Sequence, residues 1–222
     1  MSEHMALENL TVLDLTRVLA GPFCTMMLAD MGANVIKIEV PKGGDDTRGY
    51  PPFRAKNLNG ERESVYFANI NRNKKGITLN LKAPEGKEIF KELVKKADIV
   101  VENYRPGVMD KLGLGYDVLK EINPCIIYAA VSGFGCYGPY HLRPGYDILA
   151  QAMGGMMSIT GSKGGEPTRA GSALGDILGG LHVTIGILAA VNARTITGKG
   201  QRVDVSLMDS MIAATENTAL KY

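Results

Sequence analysis

The sequence of 222 residues has no tryptophan, only three cysteines and three histidines, and no marked excess of either charge. The cysteines, Cys24, Cys125 and Cys136, are odd in number and show no CxxC spacing, so neither a disulfide framework nor a zinc site is predicted. The net charge of +2 gives no general field for a polyanion such as nucleic acid. This cysteine usage favours a reducing cytoplasm.

Signals for secretion and for membrane insertion are also missing. The first residues, MSEHMALENL, lack the basic start and apolar stretch of a secretory signal. The longest apolar run, Ile177 to Val191, has 15 residues and includes His182 and Thr184, whereas a bilayer span needs about 20 apolar residues. We therefore expect a buried helix in this run.

Short apolar strands alternate with helical segments along most of the chain. Strands are predicted at Thr11–Leu15, Asn34–Glu39, Ile77–Leu81, Asp98–Glu102, Cys125–Val131 and Gln201–Val205. Helices are predicted at Pro22–Met31, Pro84–Lys96, Val108–Leu112, Tyr116–Ile122, Tyr146–Met157, Leu174–Thr195 and Ser206–Tyr222. This alternation implies an α/β fold with a Rossmann-like parallel sheet and flanking helices.

Two glycine-rich segments interrupt this pattern. Pro41 to Glu63 is too polar for a core and too long for an ordinary connection, which is typical of a functional loop. Gly133-Phe-Gly135-Cys-Tyr-Gly138 matches GxGxxG after a predicted strand, but dinucleotide binding needs a helix after the third glycine. Because Pro139 and Pro144 follow, we expect a loop here and no nicotinamide site.

Several basic residues lie beside predicted strand ends, where open α/β sheets bind their ligands. Taken singly, each is typical of a solvated surface charge. Together they would suit an anionic, nucleotide-like ligand. They are Lys74, Lys75, Lys82, Arg105, Lys111 and Arg143.

Asp176 precedes the long apolar run and allows two interpretations. Aspartate is a favoured N-cap, so a cap is the more common role for an aspartate in this position. Alternatively, Gly175, Gly179 and Gly180 would clear side chains from its surroundings, so that a bulky ligand could reach the carboxylate and exposed backbone N–H groups. His182 is interpreted as a packed histidine.

The motifs of the chain, taken in order, resemble those of the family III CoA-transferases, which include formyl-CoA and carnitine CoA-transferases and α-methylacyl-CoA racemases. The matching stretches are VLDLTRVLAGPFCTMMLADMGANVIKIE, GGDDTRG, NRNKKGITLNLK, VVENYRPGVMDKLGLGY, GFGCYGPY, GSALGDILGG and TGKGQRVDVSLMD. The resemblance implies a large Rossmann-like, CoA-binding domain over residues 1–200. Residues 201–222 would then begin the linker to a smaller domain, so that the chain would be the N-terminal portion of an interlocked homodimer subunit.

The resemblance also implies the site. Asp176 falls on the family's nucleophilic aspartate, and no metal and no permanently bound cofactor is implied, because CoA or acyl-CoA is the substrate. The positions that match family contacts to CoA are Val18, Ala20, Leu79, Lys82, Asn103, Tyr104, Arg105, Lys111 and Arg143. Val40 replaces a basic residue that contacts the nucleotide in some relatives.

Three functions remain open at this point: a CoA-transferase, an acyl-CoA racemase, and a CoA-binding fragment without activity. Racemases of the family place a histidine before the aspartate that matches Asp147, where this chain has Tyr146. A tyrosine with a pKa near 10 is a poor base at neutral pH, so transfer is favoured. The expected partners are an acyl-CoA, with succinyl-CoA the best match, and a small dicarboxylic acid.

Overall fold

The computed structural model describes residues 4–54, 60, 62–218 and 221, and these form one α/β layer structure around a parallel sheet. The strands are β1 Thr11–Asp14, β2 Asn34–Glu39, β3 Lys75–Thr78, β4 Ile99–Glu102, β5 Ile127–Ser132 and β6 Arg202–Ser206. The helices are α1 Ala20–Asp30, α2 Val65–Ile70, α3 Pro84–Val94, α4 Val108–Leu112, α5 Tyr116–Ile122, α6 Asp147–Met153, α7 Leu174–Thr197 and α8 Leu207–Ala214. Two 3-10 turns span Asp46–Gly49 and Met156–Ile159.

The strand order is β3-β2-β1-β4-β5-β6, and every pairing is parallel. This arrangement confirms the predicted Rossmann-like class. The order reverses between β1 and β4, whose residues Leu13 and Val100 lie side by side. Because connections leave β1 and β4 toward opposite sides at this point, a crevice opens beyond their carboxyl ends.

Both faces of the sheet are covered, so its central strands are apolar on both sides. Val12 and Ile99 face a core shared with Leu28 of α1 and Ile187 of α7. The next residues along the same strands face a second core, which includes Phe90 of α3. This alternation with a period of two is the reason why the strands read as continuous apolar runs in the sequence.

Helix α7 has the length and apolar composition of a membrane-crossing helix, yet one of its faces packs into the first core. A Cβ on Gly180 would lie 2.8 Å from the Ala20 carbonyl oxygen, and one on Gly186 would lie 2.6 Å from Val203. The glycines therefore allow α1 and β6 to approach α7 closely. The prediction of a buried helix therefore holds for one face of α7, which includes Val183 and Ile187, whereas Leu181 and Ile185 on another face are exposed.

Most predicted elements are present within a few residues of the predicted bounds, and the differences have physical causes. β3 begins two residues earlier than predicted because it is an exposed edge strand whose position is set by its pairing with β2 and not by apolar residues. Helix α6 ends at Met153, since Gly155 adopts φ 85°. Helix α2 was not predicted, and it follows the loop whose residues 55–59 and 61 lie outside the described part.

The end of the described chain joins the sheet domain. Strand β6 pairs with β5, and Met211 of α8 is buried in the first core. The predicted helix Ser206–Tyr222 is shorter than expected, since α8 ends at Ala214, and residues 219, 220 and 222 are not described. The domain boundary at residue 200 stays a prediction. The GxGxxG segment forms a loop, as expected, and no helix starts at Gly138.

Candidate functional site

A cleft of about 500 Å³ lies beyond the carboxyl ends of β1, β4 and β5, over the point where the strand order reverses. The α7 residue Asp176 also reaches this cleft. Seven of the residues singled out in the sequence line it: Val18, Ala20, Asn103, Tyr104, Arg105, Arg143 and Asp176. The structure thus brings together residues that are up to 158 positions apart in the chain.

Leu79, Lys82 and Lys111 do not line the cleft. Leu79 packs against the second core, whereas Lys82 and Lys111 are exposed. As contacts to CoA, these three residues remain predictions, as do the six cleft residues other than Asp176, and the nucleophilic role of Asp176 also remains a prediction.

The segment between β1 and α1 forms one wall of the cleft. Val18 has φ 67°, which is a left-handed conformation that a β-branched residue rarely adopts. Helix α1 then begins at Ala20 without a side-chain N-cap. Its first backbone N–H groups therefore have no side-chain acceptor at the edge of the cleft.

Asn103, which follows β4, holds this segment from across the crevice. Its Oδ1 accepts a hydrogen bond from the Arg17 backbone N–H at 2.8 Å, and its Nδ2 donates to the Arg17 carbonyl oxygen at 2.7 Å. The neighbouring Tyr104 is positioned by its backbone N–H, which donates to the buried Glu102 carboxylate at 2.7 Å. Asn103 was singled out as a CoA contact, and in this structure its amide binds the backbone of the cleft wall.

Positive charge in the cleft comes from arginines. Arg17 forms an ion pair with Asp46 at 2.8 Å, and the Arg143 guanidinium lies 4.2 Å from the centre of the Tyr140 ring. In the described part of the chain, neither Arg105 nor Arg143 has a carboxylate within ion-pair distance. Two unpaired guanidinium groups are suited to phosphate groups of a ligand.

Two of the basic residues expected at ligand-binding strand ends are placed elsewhere. Lys74 and Lys75 stand at the amino end of β3, and the Lys74 ammonium group is buried and donates to Asp14 at 3.0 Å. The Lys75 ammonium group donates to Asn34 Oδ1. The expectation that they contribute to an anion site was wrong, because the sequence does not reveal that Lys74 neutralises a buried carboxylate.

Asp176 is not the N-cap of α7. The cap position is Ala173, so Asp176 is the third helical residue, and its carboxylate accepts no hydrogen bond from any described residue. Burial, and in second place the charge of Asp147, raises the pKa of Asp176 to about 7. A carboxylate that is poorly solvated and has no hydrogen-bond donors is more reactive as a nucleophile than one that serves as a cap.

Asp147 supplies the cap that Asp176 does not. Its Oδ1 accepts a hydrogen bond from the Gly175 backbone N–H at 2.8 Å, and its Oδ2 accepts one from Gln151 Nε2 at 2.9 Å. Gln151 in turn donates to the Ser172 carbonyl oxygen and accepts from the Ala170 backbone N–H. The two side chains fix the loop that leads into α7. Their spacing of four residues in one helix was the available signal.

Besides Tyr104, the tyrosines Tyr50 and Tyr146 line the cleft together with Asp176, and Tyr66 lies within range of the Asp176 charge. Burial, followed by the charge of Asp176, raises the pKa of Tyr66 to about 12, and the Tyr50 ring packs edge-on against the Tyr66 ring at 5.8 Å. Tyr146 lines the cleft and is largely exposed. The sequence carries no signal for Tyr50 or Tyr66, because they come from the polar segment before α2 and from α2 itself.

The glycines around Asp176 serve helix packing and not access by a ligand. A Cβ on Gly179 would lie 2.4 Å from Leu207, and Gly180 lies against α1. The N–H of Gly175 is already bonded to Asp147. The expectation that these glycines clear space and expose N–H groups for the reaction was therefore wrong.

Comparisons with known proteins show the family of the chain. A family model described as CoA-transferase family III matches residues 7–222. The succinyl-CoA:mesaconate CoA-transferase of Haloarcula marismortui is 48% identical over 223 residues, which are 98% of this chain and 55% of that protein. The succinyl-CoA:glutarate CoA-transferase of Homo sapiens is 46% identical over 223 residues, which are 100% of this chain and 50% of that protein.

Solved structures show the same fold. The crystal structure of a CAIB/BAIF family protein from Brucella suis matches with a TM-score of 0.94 and 45% sequence identity. The match covers 99% of this chain and 58% of that chain. The chain thus spans about half the length of the curated relatives that it matches.

Proposed function

The chain belongs to CoA-transferase family III, and on that basis we propose that it supplies the CoA site and the nucleophile Asp176 of an enzyme that moves CoA between an acyl-CoA and a carboxylic acid. The observation that carries the proposal is the Asp176 carboxylate. It has no hydrogen-bond donor among the described residues and lies in the same cleft as Arg105 and Arg143, which have no carboxylate partner among those residues. An acyl-CoA bound there would bring its thioester to a partly desolvated carboxylate.

The proposed reaction is possible because carboxylates and thiolates are leaving groups of matched ability, so that each can displace the other. The Asp176 carboxylate attacks the thioester carbonyl, which forms a mixed anhydride and releases the CoA thiolate. The thiolate attacks the aspartyl carbonyl of the anhydride, which releases the donor acid and leaves an aspartyl-CoA thioester. The acceptor carboxylate attacks this thioester, which forms a second anhydride, and the thiolate then attacks its acyl carbonyl to give the new acyl-CoA and regenerate Asp176.

Succinyl-CoA with a small dicarboxylic acid is the proposed substrate pair, supported by the names of two relatives that are 46% and 48% identical to this chain. The racemase alternative has less support, because the largely exposed Tyr146 occupies the position where the family's racemases have a histidine. Binding of CoA without any transfer is the third alternative.

We include three wider features of the whole protein in the proposal: a homodimer, a smaller domain beyond the residues of this chain, and a cytoplasmic location. Exposed apolar side chains on α6 and α7, such as Ile148, Leu149 and Ile185, support a covering partner or domain. Sedimentation equilibrium should give a dimer mass. A monomer at micromolar concentration would contradict this feature.

The activity is tested by incubating the purified protein with succinyl-CoA and either glutarate or mesaconate, while chromatography follows the new acyl-CoA. Asp176→Asn should reduce transfer to background without loss of CoA binding, because an amide cannot form the anhydride. Asp117→Asn, at an exposed aspartate paired with Lys120, is the matched control and should keep full transfer. Exchange of the α-proton in deuterated water would indicate a racemase instead.

The covalent intermediate gives a second test. Hydroxylamine or borohydride added to wild-type protein with acyl-CoA should label Asp176, since both reagents react with activated carboxyl groups. Peptide mass spectrometry that places the label on another residue would show that Asp176 is not the nucleophile.

A further inference from the structure

We propose that the buried pair Lys37–Asp45 is a positioning unit that sets the backbone of residues 16–18 in the wall of the cleft, and through it the affinity for CoA. This inference rests on the proposed function, because it takes CoA as the ligand of that wall. Lys37 Nζ lies 2.9 Å from Asp45 Oδ2, and the two side chains are only 2% and 0% exposed.

The pair contacts the wall at two peptide groups. Lys37 Nζ donates a hydrogen bond to the Thr16 carbonyl oxygen at 2.9 Å. Asp45 Oδ1 accepts one from the Val18 backbone N–H at 3.3 Å, in addition to those from the N–H and hydroxyl of Thr47. Together with the two bonds from Asn103 to Arg17, side chains from outside the segment hold three consecutive residues.

The conformation of Val18 explains why such restraint is needed. A valine with φ 67° is strained and persists only where the surrounding structure imposes it. Without the Asp45 acceptor, the backbone at Val18 would relax toward a negative φ. Helix α1 begins two residues later, so the relaxation would also turn its first N–H groups away from the cleft.

Asp45 belongs to the polar segment Pro41 to Glu63, and contacts within and next to this segment hold it in place. The Asp45 backbone N–H donates to Glu39 Oε2 at 2.8 Å, and Glu39 is paired with Arg48 at 2.6 Å. The next residue, Asp46, pairs with Arg17 at the edge of the cleft. The segment GGDDTRG is thus tied to the β1–α1 wall at two adjacent positions.

Stability alone does not account for a charged pair at this place. A buried ion pair can often be replaced by apolar residues of similar size without loss of stability. What apolar residues could not provide is an acceptor for the Val18 N–H and a donor for the Thr16 carbonyl. A role in shaping the wall therefore fits the contacts better than a role in folding.

The test compares two double variants that both lack the buried charges. Lys37→Met with Asp45→Asn keeps a side-chain acceptor for the Val18 N–H, whereas Lys37→Met with Asp45→Leu removes it. Calorimetric titration with CoA should show about a threefold weaker Kd for the asparagine variant and at least a tenfold weaker Kd for the leucine variant. The KM for the acceptor acid should stay within twofold of wild type in both.

Rescue distinguishes positioning from a structural effect. Glycine adopts positive φ without strain, so Val18→Gly added to the leucine variant should restore the Kd for CoA to within about threefold of wild type. A matched control is Arg194→Met with Asp98→Asn, a pair at 2.9 Å at the amino end of β4. It should lower the melting temperature and leave the Kd for CoA unchanged.

Wild-type affinity for CoA in a folded leucine variant would overturn the inference, and so would a lack of rescue by Val18→Gly. If the leucine variant gives no cooperative melt, the asparagine variant decides, and an unchanged Kd there would overturn the inference. Wild-type protein that binds CoA but transfers none would refute only the proposed reaction. Wild-type protein that does not bind CoA would refute both.

Discussion

The Asp147 carboxylate accepts a hydrogen bond from the Gly175 backbone N–H and thereby caps, from helix α6, the helix that carries Asp176. The capping group and the proposed nucleophile are thus two different aspartates that come from different helices. The cap holds the first turn of α7, and its negative charge also raises the pKa of Asp176. One side chain therefore influences both the position and the protonation of the other.

Asp147→Ala should lower the free energy of unfolding by about 1–2 kcal/mol, because α7 loses its cap. Asp147→Asn should cost less, since its Oδ1 can still accept from the Gly175 N–H. Urea unfolding at pH 7 measures both variants. Equal losses for the two variants would argue against the cap.

The acidic limb of the pH profile of kcat/KM for the proposed transfer should reflect the protonation of Asp176. Because its pKa is about 7 in the free protein, kcat/KM should fall by about tenfold per pH unit well below pH 7 as the nucleophile becomes protonated. Asp147→Asn removes the repelling charge, so the limb should move to lower pH. A profile of kcat/KM from pH 5 to 9 checks this shift, and an unmoved limb would contradict the coupling.

The contribution of Asp176 to the free energy of unfolding should depend on pH in the opposite sense to kcat/KM. The folded pKa of Asp176 is raised above that of an unfolded aspartate, near 3.9, so the stabilisation is complete below about pH 4 and is lost as pH rises through 7. Asp176→Asn should therefore gain stability relative to wild type between these values. The gain should be on the order of 2 kcal/mol, after allowance for the water that reaches the carboxyl group.

Urea unfolding at pH 5 and pH 8 measures that gain. Asp117→Asn serves as the control, since the bond to Lys120 lowers the pKa of Asp117, and this variant should show no gain at the higher pH. A constant difference between Asp176→Asn and wild type would show that the Asp176 pKa is not raised.

Gly180→Leu should overpack the contact between α7 and α1 and lower the free energy of unfolding by about 1–3 kcal/mol or more. Even a Cβ at this position would lie 2.8 Å from the Ala20 carbonyl oxygen, which is backbone and cannot move aside cheaply. Gly171→Ala is the matched control, because nothing lies within 4 Å of a Cβ there. Thermal melts should show a loss only for Gly180→Leu.

Arg105→Ala should weaken CoA binding by about 1.5–3 kcal/mol, which is roughly tenfold or more, if its guanidinium binds a phosphate. Lys111→Ala tests the prediction that this exposed lysine also contacts the ligand, although it lies outside the cleft. Lys96→Ala, at an exposed lysine after α3, is a neutral control. Calorimetric titration with CoA measures all three, and unchanged affinity for both Arg105→Ala and Lys111→Ala would remove the proposed ligand site.

The fold class could be predicted from the sequence because it depends on local patterns. Apolar runs such as Cys125–Val131 and the amphipathic helix Pro84–Val94 show their periodicity within ten or so residues. Asp176 stands out for the same reason, since its position before an apolar run is visible locally. That pattern alone favours a cap, and only the resemblance to a known family pointed to a nucleophile.

Which distant residues meet, in contrast, depends on the tertiary structure. The reversal of strand order between β1 and β4 places Asn103 against Arg17, and the packing of α6 on α7 gives Asp147 the cap. Burial likewise turned Lys74 from an expected ligand contact into the partner of Asp14. Local periodicity specifies whether a segment is a strand or a helix, but hydrogen bonds and pKa values depend on neighbours and desolvation, which arise only when remote segments pack together.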